Sequence, residues 1–283
     1  MTTSHTATVV LVGGHESDGG RRLHPWVEDG HAFRVADAGR GLVRAVDEAL
    51  AFSDLPVCVV PMTLGRDPRL VADTARALHW SARAARSAGS TATARIALTE
   101  PFGSAEHLVG WLRAAGEDHA GRAPGRPGET ALLVTAPAAG PFEDAELFRI
   151  ARLVRQYGRH RWVEVAFDGG DPDPGEGVER CLRLGARRVV LLSAAFDTRT
   201  TGVVSGAESG GPLLTPRGVV GVLGLRVRRA LLRLRAGADG IADGLGAEHG
   251  HGYAHSHGPN GADHTPVHTH PHPRSSSPAA SHA

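Results

Sequence analysis

The sequence predicts an α/β protein of two parallel-sheet halves followed by a disordered tail. Three observations carry that expectation. Short β-branched apolar runs alternate with amphipathic helical stretches, the order that builds a parallel sheet covered on both faces. The alternation restarts after a Gly/Pro/Arg-rich stretch at 116–129, and the composition changes again near Gly244. The expected organisation is therefore an N-terminal half over 1–116, a linker over 117–129, a second half over 130–243 and a tail over 244–283.

Each element has its own signal. Residues 8–14 (TVVLVGG) form a buried strand running into glycines, which let the backbone turn sharply. Residues 56–61 and 94–98 give two further strands, separated by helical patterns over 41–52 and 69–88. In the second half, strands at 130–134, 162–167 and 188–192 alternate with helices at 144–157 and 177–185. The halves match by topology: VLVGGHES beside LLVTAPAA, CVVPMTLG beside VLLSAAFD, and a terminal amphipathic helix in each, at 107–115 and 217–235. Beyond Gly244, His, Gly, Ser and Pro dominate, and such a segment has too little apolar surface to offset its ordering entropy.

Composition excludes several functions. All 31 basic residues are Arg, against 30 acidic ones, and the formal net charge of +1 argues against a general nucleic-acid binder. The absence of Lys rules out a Walker-type phosphate loop and Schiff-base chemistry. No apolar run approaches the roughly 18 residues of a membrane span, and the first residues lack a signal-peptide pattern, so the expected setting is the cytoplasm, without a membrane partner. Cys58 and Cys181 each lie in an apolar run and read as buried structural thiols.

In an open α/β sheet, ligands bind beyond the carboxyl ends of the strands, which singles out His15, directly after TVVLVGG. Glu16 is a neighbouring candidate metal ligand, although adjacent side chains often point apart and a solvated carboxylate is the plainer reading, and Ser17 has the character of a helix cap. No G-x-G-x-x-G follows the first strand and no glycine-flanked nucleophile elbow surrounds Ser17, so no organic cofactor is expected. His79 reads as a helix histidine without a ligand role, and His107 as a helix-start residue. Pro172 and Pro174 break calcium-loop spacing in DGGDPDPGEG, leaving a turn-rich connection. In the tail, His249 and His251, His255 and His257, then His268, His270 and His272 recur at i, i+2, a spacing that puts imidazoles on one side of an extended chain and suits cobalt, nickel, zinc or copper.

VLVGGHES resembles the V-x-V-G-H-G-S opening of the class II chelatases, the CbiX-type sirohydrochlorin cobalt- or ferrochelatases. Pro61, Leu64 and Asp73 in PMTLGRDPRLVAD fall on a second family pattern, P-L-F-L-F-x-G-x-H-x-x-x-D, and FRIARLVRQYGRHRWVEVAFDG followed by VERCLRLGARRVVLL is similar to two-domain members. The resemblance covers roughly residues 8–235 and implies flavodoxin-like, chelatase-like halves facing a cleft, in which a divalent metal (Co²⁺ first, Fe²⁺ next, Ni²⁺ also) enters a carboxylate-rich tetrapyrrole of cobalamin or siroheme synthesis. His15 falls on the histidine that binds metal or accepts pyrrole protons, and Ser17 on the motif serine, a substrate-binding position. Glu16 replaces the motif glycine. Counted from Pro61, the second family histidine falls on Arg69, which cannot ligate a metal but suits a substrate carboxylate. In the second half, TAPAAG (135–140) replaces the G-H-G or G-R-G opening. Glu16, Asp67 or a tail histidine would then complete the ion's shell, with the tail as a metal reservoir. The competing expectation is a non-catalytic carrier of metal or tetrapyrrole.

Overall fold

The computed structural model describes residues 6–27, 33–87, 89, 92–122, 127–196 and 204–247. The tail predicted from Gly244 starts later: Gly244 and Leu245 belong to a helix, Ile241–Leu245, with Gly244 buried, while residues 248–283 and the seven candidate histidines lie outside the described residues.

Two parallel sheets of four strands form the framework. The first has the order β2-β1-β3-β4, from β1 (Thr8–Gly13), β2 (Phe33–Asp37), β3 (Val57–Met62) and β4 (Ile96–Leu98). The second has the order β6-β5-β7-β8, from β5 (Thr130–Pro137), β6 (Trp162–Asp168), β7 (Arg188–Ser193) and β8 (Glu208–Ser209). The four positions correspond, so β1 matches β5 and β3 matches β7, the pairing expected from the sequence. Strands β2 and β8 were not foreseen: Arg34 interrupts the apolar run of FRVAD at a sheet edge, and β8 has only two residues.

Eight helices connect the strands among the described residues: α1 (His24–Val27), α2 (Arg40–Phe52), α3 (Pro68–Ser87), α4 (Ala105–Arg122), α5 (Pro141–Tyr157), α6 (Pro174–Arg183), α7 (Pro216–Arg235) and α8 (Ile241–Leu245). Because side chains alternate across a strand, each central strand feeds two cores. Val10 and Val12 of β1 pack with Leu42 and Val46 of α2 and with Leu70 and Leu78 of α3. Ala131 and Leu133 of β5 pack with Val178 and Cys181 of α6. The opposite faces share a third core, in which Val9, Leu11, Leu132 and Val134 join Leu108 and Leu112 of α4, Ile150 of α5, and Leu223 and Val227 of α7.

That shared core holds an exchange. Helix α4 leaves the first sheet and packs on β7 and α5, whereas α7 leaves the second and packs on β3 and β4. The stretch expected as a linker from residue 117 begins inside α4, which continues to Arg122. Glycine and charge lowered the helical signal there, but the docked face of α4 carries the helix through them. The Asp168–Gly177 segment is the turn-rich connection expected, and ends in a capping box in which Asp173 and Glu176 satisfy each other's backbone N–H groups.

Candidate functional site

The glycines after β1 act through packing. Gly13 and Gly14 are not among the positive-φ residues; the left-handed turn is made later, by Asp18, Gly19 and Gly20. A Cβ on Gly13 would stand 2.2 Å from the Gly20 backbone, and one on Gly14 would stand 2.3 Å from the Asp67 carboxylate. The absence of side chains therefore lets the loop fold back and lets Asp67 approach. A 3₁₀ turn then places His15, Glu16 and Ser17 at the carboxyl end of β1, beside the loop that follows β3. In a sheet of this order, the point between β1 and β3 is where successive connections diverge, and ligands bind there.

Asp67 organises the site. One carboxylate oxygen accepts the Leu70 N–H at 2.9 Å, capping α3, and the other lies 2.9 Å from His15 Nδ1. Nδ1 therefore carries the proton toward Asp67, while Nε2 is buried without a hydrogen-bond partner. Burial works against a charged His15 ring, but the Asp67 hydrogen bond and the Glu16 and Asp67 charges outweigh it and raise its pKa. Burial likewise works against the Asp67 anion, and the bond to His15 with the His15 charge outweighs it, holding the carboxyl below its ordinary range. Asp67 and His15 form a carboxylate–imidazole pair whose second ring nitrogen, buried, keeps a lone pair that no protein group uses.

Glu16 is not the solvated carboxylate expected: its side chain points inward and is fully buried. One carboxylate oxygen accepts the Leu64 N–H at 2.9 Å and the other has no partner, while its backbone carbonyl accepts the Phe196 N–H from the second half. Desolvation raises its pKa, against the opposing charges of Arg66 and His15 and a hydrogen bond from Thr63. Ser17 is fully buried and donates to the Gly14 carbonyl at 3.2 Å, so its hydroxyl braces the loop. Arg69 is exposed on the first turn of α3.

Arg66 was not foreseen. Its side chain is wholly buried, with Nε reaching the Glu143 carbonyl at 3.4 Å and Nη2 standing 3.6 Å from Asp144, both at the start of α5 in the second half. Asp67 had a signal. Counted from Gly65 instead of Pro61, the G-x-H spacing of the pattern it resembles lands on it, and the structure sets its carboxylate against His15. The corresponding edge of the second half, Thr135 to Gly140, presents no titratable side chain. His107 is exposed on α4, bonded to Ser104 and stacked on Trp111, and His79 lies beside Trp80 in α3. Among the described residues, no group of three or more His, Cys, Asp or Glu side chains is arranged to hold a metal ion.

No family model matches the chain. A 66-residue stretch is 39% identical to a sirohydrochlorin cobaltochelatase of Priestia megaterium, covering 23% of this chain and 22% of that protein. The chain thus matches about a fifth of that relative's length. Among solved structures, SirB from Bacillus subtilis with Fe³⁺ superposes with a TM-score of 0.52 at 14% identity, covering 83% of this chain and 99% of SirB. The sirohydrochlorin chelatase SirB from Bacillus subtilis subspecies spizizenii, in complex with cobalt, gives 0.48 at 12% identity, with 83% and 99% covered. The architecture is therefore chelatase-like: two parallel α/β halves of matching strand order. No helix among the described residues is long and apolar enough to cross a membrane.

Proposed function

We propose that this protein inserts a divalent metal into sirohydrochlorin or a related carboxylate-rich tetrapyrrole, with Co²⁺ the first choice of ion and Fe²⁺ the next. The observation that carries the reading is His15: Nδ1 held by Asp67 and Nε2 unpartnered, at the strand end where an open α/β sheet binds ligands. The 66-residue likeness to a cobaltochelatase and the shared fold with SirB support it.

Insertion exchanges two pyrrolic protons for one dication, so the protein must present the ion and accept protons in turn. His15 does both at one atom. Neutral, it offers the Nε2 lone pair to the ion; once the ion has passed, the same lone pair takes one pyrrolic proton, Asp67 stabilises the imidazolium, and the ring releases that proton to solvent before taking the second. Glu16 adds negative charge to the ion's surroundings, Ser17 shapes the loop that faces the substrate, and Arg69 clamps a substrate carboxylate from the solvent side. The tail histidines collect metal. The reading sets the reaction in the cytoplasm, without an organic cofactor.

A second reading, a non-catalytic carrier of metal or tetrapyrrole, is favoured by the absence of a three-ligand cluster among the described residues and by the histidine-free TAPAAG edge. Turnover separates the two. Anaerobic absorbance of sirohydrochlorin with Co²⁺ and limiting protein is expected to show multiple turnovers for the wild type and a loss of about a hundredfold or more in His15→Ala, the scale of a lost acid–base group. Folded wild type that binds the macrocycle stoichiometrically without accelerating insertion would establish the carrier instead.

A further inference from the structure

Helices α2 and α3 lie side by side on one face of the first sheet, their inner sides packed in the same core. Along the seam between them runs an open groove of about 680 Å³ that no part of the described chain fills. Its α3 wall consists of the small residues Ala77, Ser81 and Ala84, with Trp80 standing at the middle. Trp80 is 66% exposed. Another flank of α3 is covered by the chain itself: α8 lies against it so closely that a Cβ on Gly244 would stand 2.8 Å from Ala75. A single exposed apolar side chain is ordinary, but a large indole beside a groove of small residues has the composition of a protein contact.

The α2 wall says what partner would fit. Arg40, Val43 and Asp47 follow one another at i, i+3 and i+7, a single row along the groove with its cation and its anion about 10 Å apart. Neighbouring Arg44 and Glu48 are bonded to each other at 2.9 Å. Arg40 and Asp47, exposed at the two ends of the row, have no side-chain partner among the described residues. Such a row is its own complement. Turned end over end about a two-fold axis across its middle, it sets cation against anion at both ends. An axis at the level of Val43 also passes Trp80, which lies midway between Ala77 and Ala84 on the other wall.

We propose that this groove is where two copies of the chain meet, α2 against α2 and α3 against α3, each pair antiparallel. Arg40 of each copy then faces Asp47 of the other, in two symmetric ion pairs. The two Trp80 rings meet near the axis and close the groove to water. Ala77 comes opposite Ala84 of the other copy, and side chains this small let helix axes approach to the usual spacing of about 8–10 Å. A partner of one charge would satisfy only one end of the row, whereas a second copy satisfies both.

Sedimentation equilibrium of the full chain tests this, in EDTA so that no metal bridges the tail histidines. A monomer–dimer equilibrium at micromolar protein is expected at about 50 mM salt, weakening severalfold at about 500 mM as the exposed pairs are screened. Trp80→Ala should weaken the dimer at least about thirtyfold, the scale of a central aromatic anchor. Arg40→Glu and Asp47→Arg change exposed positions and should fold, yet each alone should be monomeric, because each sets like charges across the axis twice. Mixed in equal amounts, the two variants should pair within about threefold of the wild-type affinity, since every contact across the axis is complementary again. A wild type that stays monomeric to about 200 µM overturns the proposal and leaves the groove to a different partner. A dimer indifferent to Trp80→Ala and to both charge reversals also overturns it, by placing the contact elsewhere. Reversed variants that pair no better mixed than alone overturn the antiparallel register.

Discussion

Replacing Asp67 with Asn tests the pair on which the site depends. The substitution is close to isosteric, and the remaining carbonyl oxygen can still accept the Leu70 N–H that caps α3, so the helix start is retained. What is lost is the anion 2.9 Å from His15 Nδ1, between side chains only 22% and 9% exposed. A hydrogen bond to a charged group contributes roughly 1.5–3 kcal/mol, and the amide recovers part of it, so the expected loss is about 1–2 kcal/mol where both partners are ionised. The pH dependence follows from the two shifts. His15 has a pKa raised above 6.5 in the fold, so its contribution is fully present below 6.5 and disappears as pH rises through the higher folded value. Asp67 has a pKa lowered below 3.8, so its contribution is present above 3.8 and disappears as pH falls through the lower folded value. The pair therefore stabilises most between 3.8 and 6.5. Urea unfolding of wild type and Asp67→Asn at about pH 5.5 should show the full gap, and at about pH 9 a smaller one. Ring NMR signals of His15 should titrate at lower pH in the variant. An unchanged His15 midpoint in folded Asp67→Asn, or a stability gap that widens with pH, would refute the assignment.

One further substitution and one reagent probe the frame. Gly65 has φ +116, and a Cβ there would stand 2.3 Å from backbone atoms of Ser104 and Ala105, so Gly65→Ala should destabilise by about 3 kcal/mol or more, read as a lowered midpoint in thermal unfolding. A wild-type midpoint would mean that the β3 loop does not sit against the start of α4. Burial pushes the Cys58 thiol up to about 12, and burial with the Glu164 charge pushes Cys181 to about 12, so neither should react with a disulfide reagent near pH 8 until the protein is unfolded. Rapid native-state labelling of either would contradict its burial.

Much of this structure is written locally in the sequence, and what is missing is non-local. The strands at 8–14, 56–61, 130–134 and 188–192 were legible because a doubly covered parallel strand needs apolar residues on both faces, and these runs supply them. His15 was legible because it follows such a strand directly. Asp67 was legible only as one of several groups able to complete an ion's shell: counting from Pro61 reaches Arg69, counting from Gly65 reaches Asp67, and only the fold shows which residue meets His15. Arg66 had no signal, since an arginine buried against another half of the chain looks in sequence like an exposed one. The glycines of VGG suggested backbone freedom, whereas the reason for Gly13 and Gly14 is the space taken by Gly20 and Asp67. An amphipathic pattern likewise identifies the apolar face of α4 or α7 but not the sheet it will cover.

The exchange of α4 and α7 bears directly on the site. Each sheet has one inner face covered by a helix from the other half of the chain, so neither inner face is complete without its counterpart. Contacts near the site also cross the junction: Phe196 N–H to the Glu16 carbonyl, Arg66 to Asp144, and Arg226 of α7 to Glu100 and the Phe102 carbonyl beyond β4. The His15–Asp67 pair, by contrast, lies within one half. A small displacement of the halves would therefore alter the Arg66–Asp144 approach before it altered the pair. It would change the charge around His15 while leaving its orientation intact, so the fold separates the contacts that aim the imidazole from the charges that act on it.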